Sequence, residues 1–290
     1  MRALISESEE LIKLLFKTNA IKVCPSNKPF WYTSGTLGPY YINTHYLYGS
    51  EEKACKLLDF IDKSKTDISN FPENLTNELL ANYSNDYIYK TVIDQLNSVI
   101  EEKIGIDNID YISGGERRDW FFSFPVAKLL QKPHLTIYKD RGIYEYCNSK
   151  VRAPNMLDGK NILHISDLLT EGSSFEKTWI PAVKNYGGKI SWSIVVVDRK
   201  QGGKELLKQH NINLISLTEI SDSTFKLALD KGLINYEQYK MIINFIKDPK
   251  EFMKNFLASN PDFINNTLAN GGKDADRAKI ALQTMHIFPK

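Results

Sequence analysis

The chain has 290 residues, of which 42% are hydrophobic and 25% are charged, so it can bury a large core, which argues against an intrinsically disordered chain. The 37 basic and 35 acidic residues nearly balance, so the charge offers no argument for nucleic acid or a membrane surface as a partner. The three cysteines are far apart and the five histidines are scattered, so we expect neither a disulfide framework nor a metal cluster. No apolar stretch approaches the roughly 20 residues that a membrane span needs, so we expect a soluble cytoplasmic protein.

The first hundred or so residues predict a helix, a ribbon and a helical block. Apolar residues at 11–16 recur at helical spacing. The aromatic segment 30–47 contains Ser-Gly and Gly-Pro turn signals and predicts a β-hairpin or a twisted edge ribbon. Residues from about 50 to 104 are typical of helices, with an interruption at Phe71 and Pro72.

From residue 109 onward, short apolar runs alternate with helical patterns. We predict strands at 109–112, 135–138, 162–165, 190–197 and 213–217, and helices at 121–130, 174–186 and 203–209. The polar segment 139–160 is interpreted as a long loop. Such alternation predicts right-handed crossovers and an α/β fold with a mostly parallel, doubly wound sheet. The chain after about residue 221 predicts amphipathic helices, which suit packing or a dimer surface.

The predicted strand at 162–165 leads into a loop of phosphate size. Ligands of an open parallel sheet lie at the carboxyl ends of its strands, which is where this loop is placed. Gly172 would allow close backbone approach, Ser173 and Ser174 add hydroxyl donors, and the next helix directs its positive end at the loop. Asp167 would suit ribose hydroxyls or a magnesium ion. Alternatively, Asp167 and Ser174 are only strand-end and helix-cap residues.

A second candidate anion site lies in the segment SGGERRDW. Arg117 and Arg118 precede a predicted helix, and the dipole of that helix disfavours positive charge at its N-terminus. A bound anion would offset this repulsion. In the alternative interpretation the two arginines form surface ion pairs with Glu116 and Asp119.

Three segments, in order, resemble one enzyme family. The segment ILHISDLLTEGSS resembles the phosphoribosyl-pyrophosphate (PRPP) signature of the type I phosphoribosyltransferases. The segments FWYTSGTLGPYYINTHYL and IVVVDRKQGGKELLKQHNINLISL resemble the N-terminal ribbon and a later segment of the orotate phosphoribosyltransferases. The resemblance implies a type I phosphoribosyltransferase-like domain over residues 1–220, with a ribbon hood and a helical insertion at about 50–102, followed by a C-terminal helical extension over 221–290.

The resemblance also implies roles for matching residues. The 5′-phosphate would be bound by Thr170, Glu171, Gly172, Ser173 and Ser174, and the ribose by Ser166 and Asp167. Glu171 can contribute its backbone N–H while its carboxylate points to solvent. Pyrophosphate would contact Arg117, Arg118 and Lys139, and the base would contact Arg199 and Thr33, whereas Tyr40 and Tyr41 could stack on the base or pack the ribbon. The candidate catalytic residues are Asp167, Lys139 and Arg141.

Three positions depart from the family pattern. Ser166 stands where an acid is expected, and Thr33 stands where the family has a lysine that meets the base. The loop after Lys139 lacks the family's histidine, and either Arg141 or Lys150 could replace the missing cation.

The implied reaction is the displacement of pyrophosphate from PRPP by a nitrogenous base. Orotate, giving orotidine 5′-monophosphate, is the base that the resemblance favours. The resemblance further implies Mg²⁺ carried by PRPP rather than by a side-chain cluster, and a homodimer. The alternative is a PRPP- or nucleotide-binding regulator that has lost turnover. A Rossmann-type oxidoreductase is disfavoured because no G-x-G-x-x-G pattern opens a first βα unit.

Overall fold

The computed structural model describes residues 2–285 and the side chains of residues 9–283. The chain forms two compact units. The first contains the chain up to Ala20 together with Asn43–Ile220, and the second contains Ile21–Ile42 together with the chain from Ser221 onward. Within residues 2–285, no helix combines the length and the apolar character that a membrane crossing requires.

The predicted elements occur in the predicted order, together with strands that the sequence did not predict. The strands are β1 (Ile21–Val23), β2 (Phe30–Trp31), β3 (Leu37–Gly38), β4 (Tyr40–Ile42), β5 (Tyr111–Gly115), β6 (His134–Ile137), β7 (Ile143–Cys147), β8 (Lys150–Arg152), β9 (Asn161–Leu169), β10 (Lys189–Asp198) and β11 (Asn213–Glu219). The α-helices are α1 (Arg2–Lys17), α2 (Glu51–Ser64), α3 (Phe71–Asn85), α4 (Tyr87–Lys103), α5 (Trp120–Leu129), α6 (Ile180–Lys184), α7 (Gly203–Gln209), α8 (Asp222–Asp230), α9 (Tyr236–Lys247), α10 (Pro249–Ser259), α11 (Phe263–Asn270) and α12 (Gly272–Met285). A π-helical turn, Phe175–Trp179, precedes α6, and short 3₁₀ segments occupy Thr44–Tyr48 and Ile106–Asn108.

A seven-stranded sheet organises the first unit. Its strand order is β11-β10-β9-β5-β6-β7-β8. The five strands from β11 to β6 run parallel, and β7 and β8 are added antiparallel at one edge. The mostly parallel α/β sheet predicted from the sequence is therefore confirmed.

The central strands explain where the core lies. Residues of β9 and β10 such as Leu163, Ile165, Ile194 and Val195 are fully buried, as expected for inner strands of a parallel sheet. Strand β9 continues through Leu169, beyond its predicted end, and pairs with β10 along its length. The strand therefore carries the two candidate ribose residues to its carboxyl end, and the candidate phosphate loop begins directly after it.

The polar segment 139–160 is not one long loop. Residues 143–152 form the β7–β8 hairpin, so the prediction of a loop is wrong there. Asn148 and Ser149 have φ values of +48° and +58°, the left-handed backbone that a tight two-residue hairpin turn requires. The sequence shows no apolar alternation here because the buried position is an acid: Glu145 lies opposite the exposed Arg152, which donates to Glu145 Oε1 at 2.5 and 3.1 Å.

The helical block predicted for about 50–104 is confirmed as α2, α3 and α4. Phe71 and Pro72 begin α3, where proline is tolerated because the first helical N–H needs no partner. Helices α3 and α4 pack on α5, and the buried Tyr89 hydroxyl donates to the carbonyl of Phe121. The block is thereby attached to the helix that follows the candidate pyrophosphate segment.

The second unit combines the N-terminal ribbon with the C-terminal helices. The ribbon predicted for 30–47 is present over 30–42 as two antiparallel pairs, β2 with β3 and β4 with the earlier strand β1, whereas residues 44–47 are not part of it and belong to a 3₁₀ segment. Trp31 stacks on Phe263 at 5.9 Å between ring centroids, and its indole N–H donates to the Thr267 hydroxyl at 3.3 Å. The ribbon therefore shares its core with residues more than 200 positions later in the chain.

Candidate functional site

The first unit contains a cavity of about 310 Å³ at the carboxyl ends of β5 and β9. It is lined by the loop after β5, by Lys139 after β6, and by the end of β9 with the loop that follows. The structure brings these predicted residues together around it: Arg117, Arg118, Lys139, Ser166, Asp167, Thr170, Gly172, Ser173 and Ser174. Motifs separated by about 50 residues in sequence thus meet at one edge of the sheet, as expected for a parallel fold.

The candidate phosphate loop has a backbone that requires glycine. Gly172 has a φ of +80°, and a Cβ atom there would lie 2.5 Å from Cδ2 of Leu206. Thr170, Ser173 and Ser174 line the cavity, whereas Glu171 is exposed and is not part of the lining. The loop therefore presents hydroxyls and backbone to the cavity while its acidic side chain lies outside.

Asp167 is a buried acid without a partner for one oxygen. The residue is 8% exposed, and Oδ2 accepts no hydrogen bond from any described residue. Burial raises the pKa of this carboxyl to about 8; the charge of Asp119 acts in the same direction, and Arg118 opposes it. A buried acceptor of this kind in a cavity indicates that a ligand supplies the missing donor.

Asp119 is a cavity residue that the sequence reasoning missed. Its Oδ1 accepts from the Ser166 hydroxyl and from the Asp167 backbone N–H, both at 2.9 Å, and its Oδ2 accepts from Gly115 N–H at 3.1 Å. His164 Nε2 lies 3.5 Å from the same Oδ2. The available signal was the position of Asp119 directly before the apolar run WFFSFPVA, which draws it into the interior.

The arginines of the candidate pyrophosphate segment do not form the surface pairs considered from the sequence. Arg117 forms an ion pair with Asp62 of α2, and Glu116 pairs with Lys65 at 2.7 Å. The peptide bond between Glu116 and Arg117 is cis. Arg118 forms no ion pair within the described part of the chain and lines the cavity. It is thus the arginine of this segment that is available to an anion.

The basic residues of the segment after β6 have different surroundings. Lys139 is exposed at the cavity, and its backbone N–H donates to Glu116 Oε2 at 3.0 Å. Arg141 donates from Nε and Nη2 to the carbonyl of Lys177 at 3.1 and 2.8 Å, so its guanidinium is bound to the middle of the π-helical turn. Lys150 is exposed on β8. Lys139 therefore lines the cavity, whereas Arg141 is not among the residues that line the cavity.

The candidate base-binding residues are divided between the two units. Arg199, in the first unit, follows β10, and its backbone N–H donates to Leu169 O at 2.9 Å. Its buried Nε has no hydrogen-bond partner among the described residues. In the second unit Thr33 is exposed, and Tyr40 packs on Phe225 at 5.1 Å between ring centroids.

The Tyr41 hydroxyl is also used within the second unit. It donates to the Trp31 carbonyl at 2.5 Å, and burial raises the pKa of its phenol. Tyr40 and Tyr41 thus both contribute to packing of the ribbon, and their contact with a base stays a prediction.

Comparisons with known proteins agree with this geometry, although no family model matches the chain. The chain is 30% identical to the orotate phosphoribosyltransferase of Methanosphaera stadtmanae over 131 residues. This alignment covers 45% of this chain and 72% of that protein. The orotate phosphoribosyltransferase of Staphylothermus marinus is 26% identical over 242 residues, 83% of this chain and 96% of that protein.

Two solved structures share the fold. The orotate phosphoribosyltransferase of Aeropyrum pernix matches 78% of this chain and 99% of its own, with a TM-score of 0.50 and 19% identity. The enzyme of the same name from Francisella tularensis matches 82% of this chain and 98% of its own, with a TM-score of 0.52 and 15% identity. Both relatives are matched over most of their length, and the fold and the cavity described above are consistent with that match. The chain therefore belongs to the orotate phosphoribosyltransferase family.

Proposed function

We propose that the protein transfers the phosphoribosyl group of PRPP to orotate and releases pyrophosphate. The observation that carries the proposal is the composition of the cavity in the first unit. A hydroxyl-bearing loop with a left-handed glycine, the unpartnered Oδ2 of Asp167, and the cations Arg118 and Lys139 meet around 310 Å³. Each group suits one part of PRPP: the loop suits the 5′-phosphate, the acid suits the ribose, and the cations suit the pyrophosphate.

In the proposed reaction a ring nitrogen of the base attacks the anomeric carbon of the ribose. The C–N bond forms, the C–O bond to pyrophosphate breaks, and the nitrogen loses its proton. Positive charge develops on the sugar and negative charge on the leaving group. Arg118 and Lys139 would stabilise the leaving pyrophosphate, and Asp167 would hold the ribose hydroxyls and, in its ionised form, stabilise the cation-like sugar.

Mg²⁺ fits this site as a companion of PRPP. Among the described residues, no group of three or more His, Cys, Asp or Glu side chains could hold a metal ion. The cavity side chains that suit phosphate are cationic, so we propose that the ion arrives with the phosphate oxygens and adds positive charge at the leaving group. Asp167 would lie nearby.

Orotate is the proposed base because the relatives of the chain are orotate phosphoribosyltransferases and because Arg199, which is not among the residues lining the cavity, has a donor without a partner among the described residues. Its Nε is buried without a partner, and a guanidinium binds a carboxylate through paired N–H donors. Uracil has the same ring as orotate without the carboxylate. The two bases therefore form a matched pair for testing this contact.

A regulator that binds PRPP without turning it over is the second candidate. Two observations favour it. Ser166 provides a hydroxyl where an acid was expected, and the Arg141 guanidinium donates to the Lys177 carbonyl rather than lining the cavity. Both weaken the expected catalytic constellation.

Pyrophosphate release separates the two candidates. The protein would be incubated with PRPP, Mg²⁺ and a panel of bases that includes orotate and uracil. We expect release with orotate and much slower release with uracil, and replacing Arg199 by Gln should remove this preference. Absence of release with every base, together with measurable PRPP binding by calorimetry, would favour the regulator.

Two further expectations of the resemblance remain predictions. We propose a homodimer, which light scattering on the purified protein would test; a monomer at working concentration would contradict it. We also propose a cytoplasmic location, which cell fractionation would test.

A further inference from the structure

Asp119 connects the two halves of the cavity through a single carboxylate. It follows the loop after β5, yet both hydrogen bonds to Oδ1 come from the end of β9, from Ser166 Oγ and Asp167 N at 2.9 Å each. Its other oxygen accepts from Gly115 N at 3.1 Å. Asp119 is 6% exposed, so these bonds form in a medium where lost hydrogen bonds are costly.

The bond from Ser166 changes what that hydroxyl can do. A serine hydroxyl has one hydrogen to donate and two lone pairs that accept. Because the hydrogen is directed at Asp119 Oδ1, the lone pairs remain for a ligand. Ser166 lines the cavity beside Asp167, whose Oδ2 also lacks a donor. The end of β9 therefore presents two adjacent acceptors to the cavity.

We propose that Asp119 is a positioning residue of the sugar site, which makes Ser166 an acceptor and orients Asp167 so that the two receive the vicinal hydroxyls of a ribose phosphate. This inference rests on the proposed function, because it assigns the sugar contacts of the same cavity. Asp119 acts through Ser166 and Asp167 rather than on the reacting atoms. It also connects the segment of Arg118 to the sugar-binding end of β9.

The test is a comparison of ribose 5-phosphate with 2-deoxyribose 5-phosphate. The two sugars differ by one hydroxyl, so the ratio of their dissociation constants reports hydroxyl recognition and not general folding. We expect the wild-type protein to prefer ribose 5-phosphate by about tenfold, the value of one hydrogen bond to a charged or polarised group. Asp119→Ala should reduce the ratio to about one, because Ser166 Oγ and the Asp167 backbone N–H both lose the carboxylate that fixes them, so neither acceptor stays directed at the sugar hydroxyls.

Relocating the acid distinguishes a positioning role from a structural one. Ser166→Asp alone brings two carboxylates together and should weaken binding. The double variant Asp119→Ala/Ser166→Asp places an acceptor on β9 directly, and should recover most of the wild-type ratio. If Asp119 merely holds the loops together, the double variant will bind as poorly as Asp119→Ala, since the new carboxylate replaces neither bond to the backbone.

Asp110→Ala is the matched control. Asp110 accepts from Asn161 N at 2.8 Å and so bridges the amino ends of β5 and β9, as Asp119 bridges their carboxyl ends. This variant should keep the wild-type sugar ratio, and urea unfolding would confirm that each variant is folded. A wild-type protein that does not distinguish the two sugars, or an Asp119→Ala variant that still does, would overturn the inference. Sugar preference without pyrophosphate release would instead remove the proposed transferase function and leave this inference standing.

Discussion

At the scale of single residues, Asp167 has opposite effects on stability and on binding. Its folded-state pKa of about 8 lies above the ordinary value of 3.8 because the carboxyl is buried near Asp119. Between those two values the folded protein binds more protons than the unfolded chain does. The free energy of unfolding therefore falls as the pH rises through this window.

Replacing Asp167 by Asn should remove this pH dependence. We expect the variant to be more stable than the wild type at pH 7, with a difference that grows by up to about 1.4 kcal/mol per pH unit between pH 5 and 8. Urea unfolding at four pH values measures it. Asp110→Asn is the control: the bond from Asn161 N lowers the pKa of that carboxyl, so its effect should be constant over the same range. A constant difference for Asp167→Asn would contradict the assignment.

The binding role of Asp167 leads to a second prediction. Asp167→Ala should lose at least about tenfold in PRPP affinity, because the sugar loses a buried acceptor in the cavity. Calorimetry with PRPP and Mg²⁺ measures it. Unchanged affinity would refute the placement of the ribose at the end of β9.

Gly172 is held by both its backbone and its surroundings. Gly172→Ala should destabilise the protein by roughly 1 to 3 kcal/mol and weaken binding of inorganic phosphate, since the added Cβ is strained and meets Leu206. Gly159→Ala is the matched control, with a φ of +70° and nothing within 4 Å of a Cβ. Equal losses of stability in the two variants would show that Leu206 does not matter.

At the scale of elements, the sequence predicted those parts whose signal is local. Strand β10 and helix α7 lie within one residue of their predicted bounds, because a β-branched run and a glycine-marked start are visible in any context. The hairpin β7–β8 was missed since the Glu145–Arg152 pair exists only across strands. Asp119 was missed for the same physical reason: its partners are 47 and 48 residues away.

The helical insertion contacts the candidate pyrophosphate segment through the end of α2. Lys65 Nζ lies 2.7 Å from Glu116 Oε1, and the Glu116 side chain is only 8% exposed. The same Glu116 accepts from the Lys139 backbone. Lys65 of the insertion and the backbone of Lys139 therefore both fix the Glu116 side chain, which belongs to the candidate pyrophosphate segment.

Lys65→Met should therefore weaken pyrophosphate binding by about three- to tenfold, because it leaves a buried carboxylate without its cation. Lys56→Met is the matched control, on α2 itself, whereas Lys65 directly follows that helix. The partner of Lys56, Glu52, is 77% exposed, and such surface pairs contribute little. Calorimetry with pyrophosphate compares the two variants, and indistinguishable affinities would contradict a role of α2 at the loop.

At the scale of the whole molecule, the second unit is assembled from distant parts of the chain. Its ribbon residues Trp31 and Tyr40 are buried, and Arg277 donates to the Trp31 carbonyl at 2.9 Å. A linear division of the chain near residue 220 stays a prediction about domains. The compact units themselves are not contiguous in sequence.

A chain that ends at Ile220 should lose the ordered ribbon, because the helices that cover Trp31 and Tyr40 are removed. Hydrogen exchange would measure this at the amides of Cys24 and Tyr32, which donate within the ribbon at 2.8 Å each. We expect fast exchange there in the truncated chain and slow exchange in the full chain. Amides of β9 and β10 provide the internal control, and a protected ribbon in the truncated chain would contradict the prediction.

The contact between Gly172 and Leu206 has a consequence for how this sequence can change over generations. Any side chain at position 172 would occupy space that the leucine fills, so substitution of the glycine would be harmful in the present background. A shorter residue at position 206 would have to come first to make room, and even then the left-handed backbone at position 172, with a φ of +80°, would strain the new side chain. The order of the two substitutions is therefore constrained. We expect both positions to change slowly in evolution, although Leu206 is not one of the residues that line the cavity.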